Sequence, residues 1–143
     1  MQMLTGGQIA TIVFIVESIV FISVMIGWLY GARRMDYDTH HRFIYPAVLI
    51  HIITVSLWMI PRAMQLAEEG LFADPLGNWY QIVHDAVGFV AVALGLIVAL
   101  IFLVKSGMPL NILQKAKPLM WLTLGLWLVS FVLGIIAFLA RFG

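Results

Sequence analysis

Two histidines, His51 and His84, lie inside stretches that are otherwise apolar enough to cross a bilayer. An ionisable side chain at membrane depth is costly and is usually there for function. Two imidazoles on neighbouring antiparallel helices are the smallest donor set that can hold a haem iron from both sides. Such ligation needs the rings at similar depth. His51 stands ten positions before Pro61, and His84 ten positions after Asp74. If Pro61 and Asp74 mark the helix ends on one side, each ring is about 15 Å in. Two acids accompany the histidines. Glu17, in the first apolar stretch and level with His51, can orient a ligand imidazole through its second ring nitrogen, move a proton or contact a quinone. Asp85 adjoins His84, turned about 100° around the helix, where water or Arg62 can stabilise it. The alternatives are a metal-free polar core of hydrogen-bonded histidines, a non-haem metal, and a quinone site.

Composition limits the chemistry further. The chain has 143 residues, 63% of them hydrophobic and 10% charged. Soluble domains are about one quarter charged, so this is an integral membrane protein. The net charge of +1 gives no reason to expect nucleic acid as a partner. Cysteine is absent, which removes disulfides, thiolate catalysis, Cys-ligated zinc or iron–sulfur clusters and thioether-linked haem. Any metal must use His, Met or carboxylate ligands. The eight methionines are scattered rather than striped, unlike a copper path.

The elements that must position these residues are four spans, each about 20 residues or more. They are expected near Ile9–Tyr30, Phe43–Met64, Trp79–Val104 and Leu119–Leu139. This gives an all-α four-helix transmembrane bundle, a single domain over residues 1–143. Asp74–Pro75 reads as an N-cap with proline at the first helical position of helix three. Pro118 suits the first turn of helix four, and Pro46 and Pro61 bracket the second span, Pro61 as a kink. Trp28, Tyr30, Tyr45, Trp79, Tyr80 and Trp121 fit an aromatic belt. Arg33, Arg34 and Arg42 flank the first connection, and Lys105, Lys115 and Lys117 the third. Only Arg62 and Arg141 fall on the other side, so the positive-inside rule puts both termini outside. Met1–Gln8 has no basic residue, and the first segment is read as a retained helix rather than a cleaved signal.

Small and weakly polar residues mark the faces along which membrane helices pack. His84, Gly88, Ala91 and Gly95 share one face of helix three; Thr123, Trp127, Ser130 and Gly134 share one of helix four. Ala47, His51, Thr54, Val55 and Trp58 form the stripe of helix two, and helix one shows Thr11 and Ser18 with Glu17 beside them. Gly88, directly beneath His84, leaves room for a flat macrocycle. Arg62 is placed to pair with a haem propionate. His40 and His41, at the basic edge, read as interfacial residues that snorkel to headgroups or bind a propionate.

The chain resembles a four-helix membrane family associated with haem–copper oxidase genes and oxidase assembly. The resemblance covers most of the chain after Gly31. It rests on RRMDYDTHHRF opening helix two, YQIVHDAVGFVAV opening helix three and LQKAKPLMWLTLGLWLVSFVLGI leading into the last helix. The chain departs from that pattern. Lys115 and Lys117 stand where a histidine is common, and His51 sits mid-span. These departures favour a diverged b-type cytochrome, and a looser resemblance is to four-helix cytochromes b.

The expectation is therefore a membrane b-type cytochrome with one haem b on His51 and His84. It would pass electrons to or from a quinone or a respiratory complex within the lipid bilayer, and is more an electron-transfer protein than a self-contained enzyme. The membrane would be the prokaryotic cytoplasmic membrane, and the chain could also self-associate. The alternative is an assembly or scaffold factor for a haem–copper terminal oxidase, without a permanent cofactor.

Overall fold

In lipid, backbone N–H and C=O groups must be satisfied within the segment, and for a chain of this composition the solution is helices. A computed structural model describes residues 6–104 and 110–142, and it is 91% helical. No strand occurs among the described residues. The helices are α1 (Gly6–Leu29), α2 (Tyr37–Thr54), α3 (Ile60–Glu68), α4 (Trp79–Val104) and α5 (Leu110–Phe142). Wide π turns, Tyr30–Arg34 and Val55–Met59, extend α1 and join α2 to α3. Four runs are long and apolar enough to span a membrane: Gly6–Arg34, Tyr37–Glu68, Trp79–Val104 and Gln114–Phe142. Lys105 and the first five residues lie outside the described residues.

The helices outrun the apolar stretches. The first connection, expected over residues 31–42, shrinks to Met35 and Asp36. Met35 adopts the left-handed conformation (φ 54°) that ends a helix, and its N–H reaches Tyr30 O. Asp36 then caps α2, its carboxylate accepting from Thr39 N–H at 3.0 Å. Pro46 and Pro61 do not bracket the second span; both lie within the continuous run Tyr37–Glu68. Proline has no N–H and its ring crowds the carbonyl four residues back. The π turn ending at Met59 widens the helix just where Pro61 needs that room. Pro118 is also interior, in α5. Asp74 does not cap the third span. It closes a local turn by accepting from Gly77 N–H at 3.0 Å, and Asn78 O takes the first helical bond, from Ile82 N–H.

By contact the chain divides into two compact units, Met1–Gln65 with Phe138–Gly143, and Leu66–Ala137. In the first, α1 packs along α2 through Ala10, Glu17, Val20, Val24 and Gly27 on one side and His40, Ala47, Val48 and His51 on the other. Gly27 makes the close approach: a Cβ there would lie 2.8 Å from Ile44 Cδ1. The end of α5 belongs to this unit, with Phe138 stacked on Phe14 at 4.6 Å. Thr11 is exposed rather than on the seam, because its hydroxyl is satisfied by Gly7 O in its own helix.

In the second unit α3 ends at a Schellman turn. Leu71 N–H reaches Leu66 O, Gly70 N–H reaches Ala67 O, and Gly70 takes φ +96°. The buried Leu66 and Leu71 supply the apolar contact of that motif. Among the described residues of α4 and α5 the buried ones are Ala91 and Gly95, and Ala116, Thr123, Trp127, Ser130, Leu133 and Ala137. These fall on the faces read from the small-residue spacing.

Candidate functional site

Each of the two candidate histidines is positioned by its neighbour helix. In the first unit, His51 Nδ1 and Glu17 Oε2 share a hydrogen bond of 2.6 Å. Both residues are buried, His51 at 7% exposure and Glu17 at 8%. The other carboxylate oxygen, Oε1, is buried and has no hydrogen-bond partner among the described residues. Val20, Val24, Ala47 and Val48 keep the seam apolar, so the pair sits in a low-dielectric setting where a hydrogen bond is stronger than in water. The π turn of Val55–Met59 starts four residues after His51, and Val55 N–H is shared between His51 O and Ile52 O.

His84 is held differently. Its Nδ1–H donates to Ser130 O at 2.8 Å and reaches Ser130 Oγ at 3.3 Å, while Ser130 Oγ–H donates back to His84 O at 3.3 Å. A helix carbonyl points toward the residue four positions on, which normally screens it. Here that residue is Gly134, and a Cβ on it would lie 2.9 Å from His84 Cε1. The glycine therefore uncovers the carbonyl that anchors the imidazole. Gly88, one turn along α4, faces Ser130: an added Cβ would lie 2.8 Å from Ser130 Oγ. His84 Nε2 lies 4.0 Å from Asp85 Oδ1, beyond hydrogen-bond range. Asp85 Oδ1 instead accepts from Gln81 Nε2 at 2.9 Å.

His40 repeats the arrangement of His84. Its Nδ1–H donates to Gly27 O at 2.8 Å, and Gly31, four residues on, provides the opening; a Cβ there would lie 2.6 Å from His40 Nδ1. His40 is buried rather than snorkelling to the headgroups. His41 is half-buried and stacks on Tyr45 with ring centroids 5.0 Å apart. Arg62 lies in the first turn of α3.

The structure thus brings Glu17 to His51, and Ser130, Gly88 and Gly134 to His84. The equal-depth reckoning loses both of its end points. The second span continues past Pro61 to Glu68, and α4 starts at Trp79 rather than Asp74. Gly27, Gly31 and the carbonyl of Ser130 were not expected as positioning groups. The sequence signal that finds them is small-xxx-small spacing, Gly27-Trp-Leu-Tyr-Gly31 and Ser130-Phe-Val-Leu-Gly134.

Chemically, an imidazole whose Nδ1 is committed to a carboxylate or a backbone carbonyl has a fixed ring orientation and presents Nε2. Metal-ligating histidines almost always have this arrangement. Among the described residues no three His, Asp or Glu side chains converge on a metal position. Haem iron does not need three, since the porphyrin supplies the equatorial ligands. Taken singly, His51 and His84 each offer one oriented imidazole, the kind of donor that haem iron takes. Comparison of the chain with protein-family models, curated proteins and solved structures gives no match.

Proposed function

We propose that this is a multi-pass membrane cytochrome of the b type, in which His51 and His84 would hold one haem b. The observation that carries the reading is the shared anchoring of the two imidazoles: Nδ1 of each is tied down inside its own unit, which selects Nε2 for iron. A haem with two imidazole ligands exchanges one electron and has no open position for substrate, so the role is electron transfer.

The chain's own residues do the rest. Glu17 orients His51 through its Nδ1. Ser130 O orients His84, with Gly134 opening the approach and Gly88 admitting Ser130. Arg62 is assigned to a propionate. The electron partner is a quinone or a respiratory complex within the bilayer. This agrees with the resemblance to membrane proteins associated with haem–copper oxidases. The arginines around the first turn, with Lys105 before the fourth run and Lys115 and Lys117 at its start, support a topology with both termini on the outer side of a prokaryotic cytoplasmic membrane.

The test is the visible spectrum of detergent-purified protein, expressed with ample haem, air-oxidised and then dithionite-reduced. Wild type should show a sharp reduced α-band, and His51→Ala and His84→Ala should each lose it. A wild type without Soret absorbance sinks the cytochrome reading and moves the assignment to an oxidase assembly factor.

A further inference from the structure

The redox reading leaves the connection between α3 and α4 unused. Three large apolar side chains are exposed along it and at its end: Phe72 at 60%, Leu76 at 87% and Trp79 at 52%. A cluster of large exposed apolar groups marks an interaction surface.

The segment is internally bonded. Asn78 Nδ2 donates to Leu71 O at 3.2 Å and to Asp74 O at 3.1 Å. Ala73 N–H reaches Gly70 O, Asn78 N–H reaches Asp74 O, and Gly77 N–H reaches the Asp74 carboxylate. A Cβ at Gly77 would run into that carboxylate, which would have to give up its place. Non-helical backbone can approach hydrocarbon only if its polar groups are bonded. Much of this loop's polar backbone is already bonded within the loop. The next residues, Trp79 and Tyr80, pack edge-to-face with centroids 6.2 Å apart at the start of the third span, and Trp and Tyr favour the headgroup level.

We propose that this loop lies in the membrane interface, with Phe72, Leu76 and Trp79 inserted at the boundary of headgroups and acyl chains. Its partner is the lipid surface itself. The charge around it is acidic, from Glu68, Glu69 and Asp74, so insertion is driven by apolar area and needs no anionic lipid. The proposal is independent of haem.

The chain has no cysteine, so single labels report one position each. Phe72→Cys and Leu76→Cys, each carrying a nitroxide, would be reconstituted in phosphatidylcholine vesicles. Leu96→Cys, exposed within α4, sets the hydrocarbon end of the scale. Far-UV circular dichroism of each variant checks the fold. At 72 and 76, collisions with oxygen should exceed those with water-soluble nickel chelate, at depths shallower than at 96. A membrane-impermeant maleimide should react with the unlabelled cysteines several-fold more slowly in vesicles than after denaturation in SDS. Water-like collision rates at either site, or full-speed maleimide labelling, overturns the proposal and turns the patch into a surface for a protein partner.

Discussion

The α1–α2 seam and the α4–α5 seam solve one problem in two ways. Each must orient an imidazole between two helices, buried at His51 and partly exposed at His84. The α4–α5 seam answers with a backbone carbonyl, uncovered by glycine, which offers a fixed dipole and no charge. The α1–α2 seam uses that answer at His40 and a second one at His51, where the partner is a carboxylate. A carbonyl anchor costs little to bury because it already belongs to the helix. A carboxylate anchor must itself be desolvated, and it is worth having only where its charge or its proton is used. The difference singles out His51 as the imidazole whose anchor is itself a titratable side chain.

The comparison breaks most visibly at Glu17. Glu17→Ala leaves a buried ring nitrogen without its acceptor, and should lower stability by about 1–3 kcal/mol in SDS-induced unfolding. Ser130→Ala removes only the long hydroxyl contacts and keeps the carbonyl bond, so it should cost about 0.5 kcal/mol. If the two variants unfold alike, the seams are not different in kind.

Next come the openings. Gly31→Ala and Gly134→Ala put a methyl group into the ring of His40 or His84. Each should cost about 1–3 kcal/mol by overpacking, and Gly134→Ala should also displace any haem band that depends on His84. Gly95→Ala is the contrast within one seam. Its Cβ would meet Thr123 Cγ2 at 3.7 Å, an ordinary contact, so relief of glycine's backbone entropy should stabilise the protein by about 0.5–1 kcal/mol. Thermal unfolding in one detergent measures all three.

The smallest effect is at the first turn. The Asp36 carboxyl is held below its ordinary value by its hydrogen bonds from Thr39, with Arg42 and Arg34 adding to them. A folded-state value below the unfolded one stabilises above the ordinary carboxylate range, and that contribution fades as pH falls from about 4 through the lower folded value. Wild type should lose stability over that window, and Asp36→Asn should be flat across it.

The spans and their inward faces were legible because small residues recur at helical spacing and lipid leaves them no other use. The face of His84, Gly88, Ala91 and Gly95 and that of Thr123, Trp127, Ser130 and Gly134 could each be read from the sequence, as could the level of Glu17 against His51; that the first two faces meet could not. Helix ends could not. Hydropathy reports where a helix is apolar, while polar residues such as Arg33 and Glu68 continue the same hydrogen-bond ladder beyond it. Nor could the hydroxyl of Thr11 be assigned a side, since a threonine that bonds its own helix can face lipid. The anchors of His40 and His84 are backbone atoms, and they are visible only through the glycine four residues beyond each. The π turns carry no residue pattern apart from Pro61 beside the second.

The two-residue turn at Met35–Asp36 has a consequence for synthesis. A first span leaving the ribosome carries Glu17 alone, an acid with no partner. Because only two residues separate the helical runs, the second span follows at once, and His51 comes opposite Glu17 as the hairpin closes. The acid and the base then enter the bilayer together as one hydrogen-bonded pair. Lengthening the turn would leave the fold's contacts intact while prolonging the time the acid spends alone.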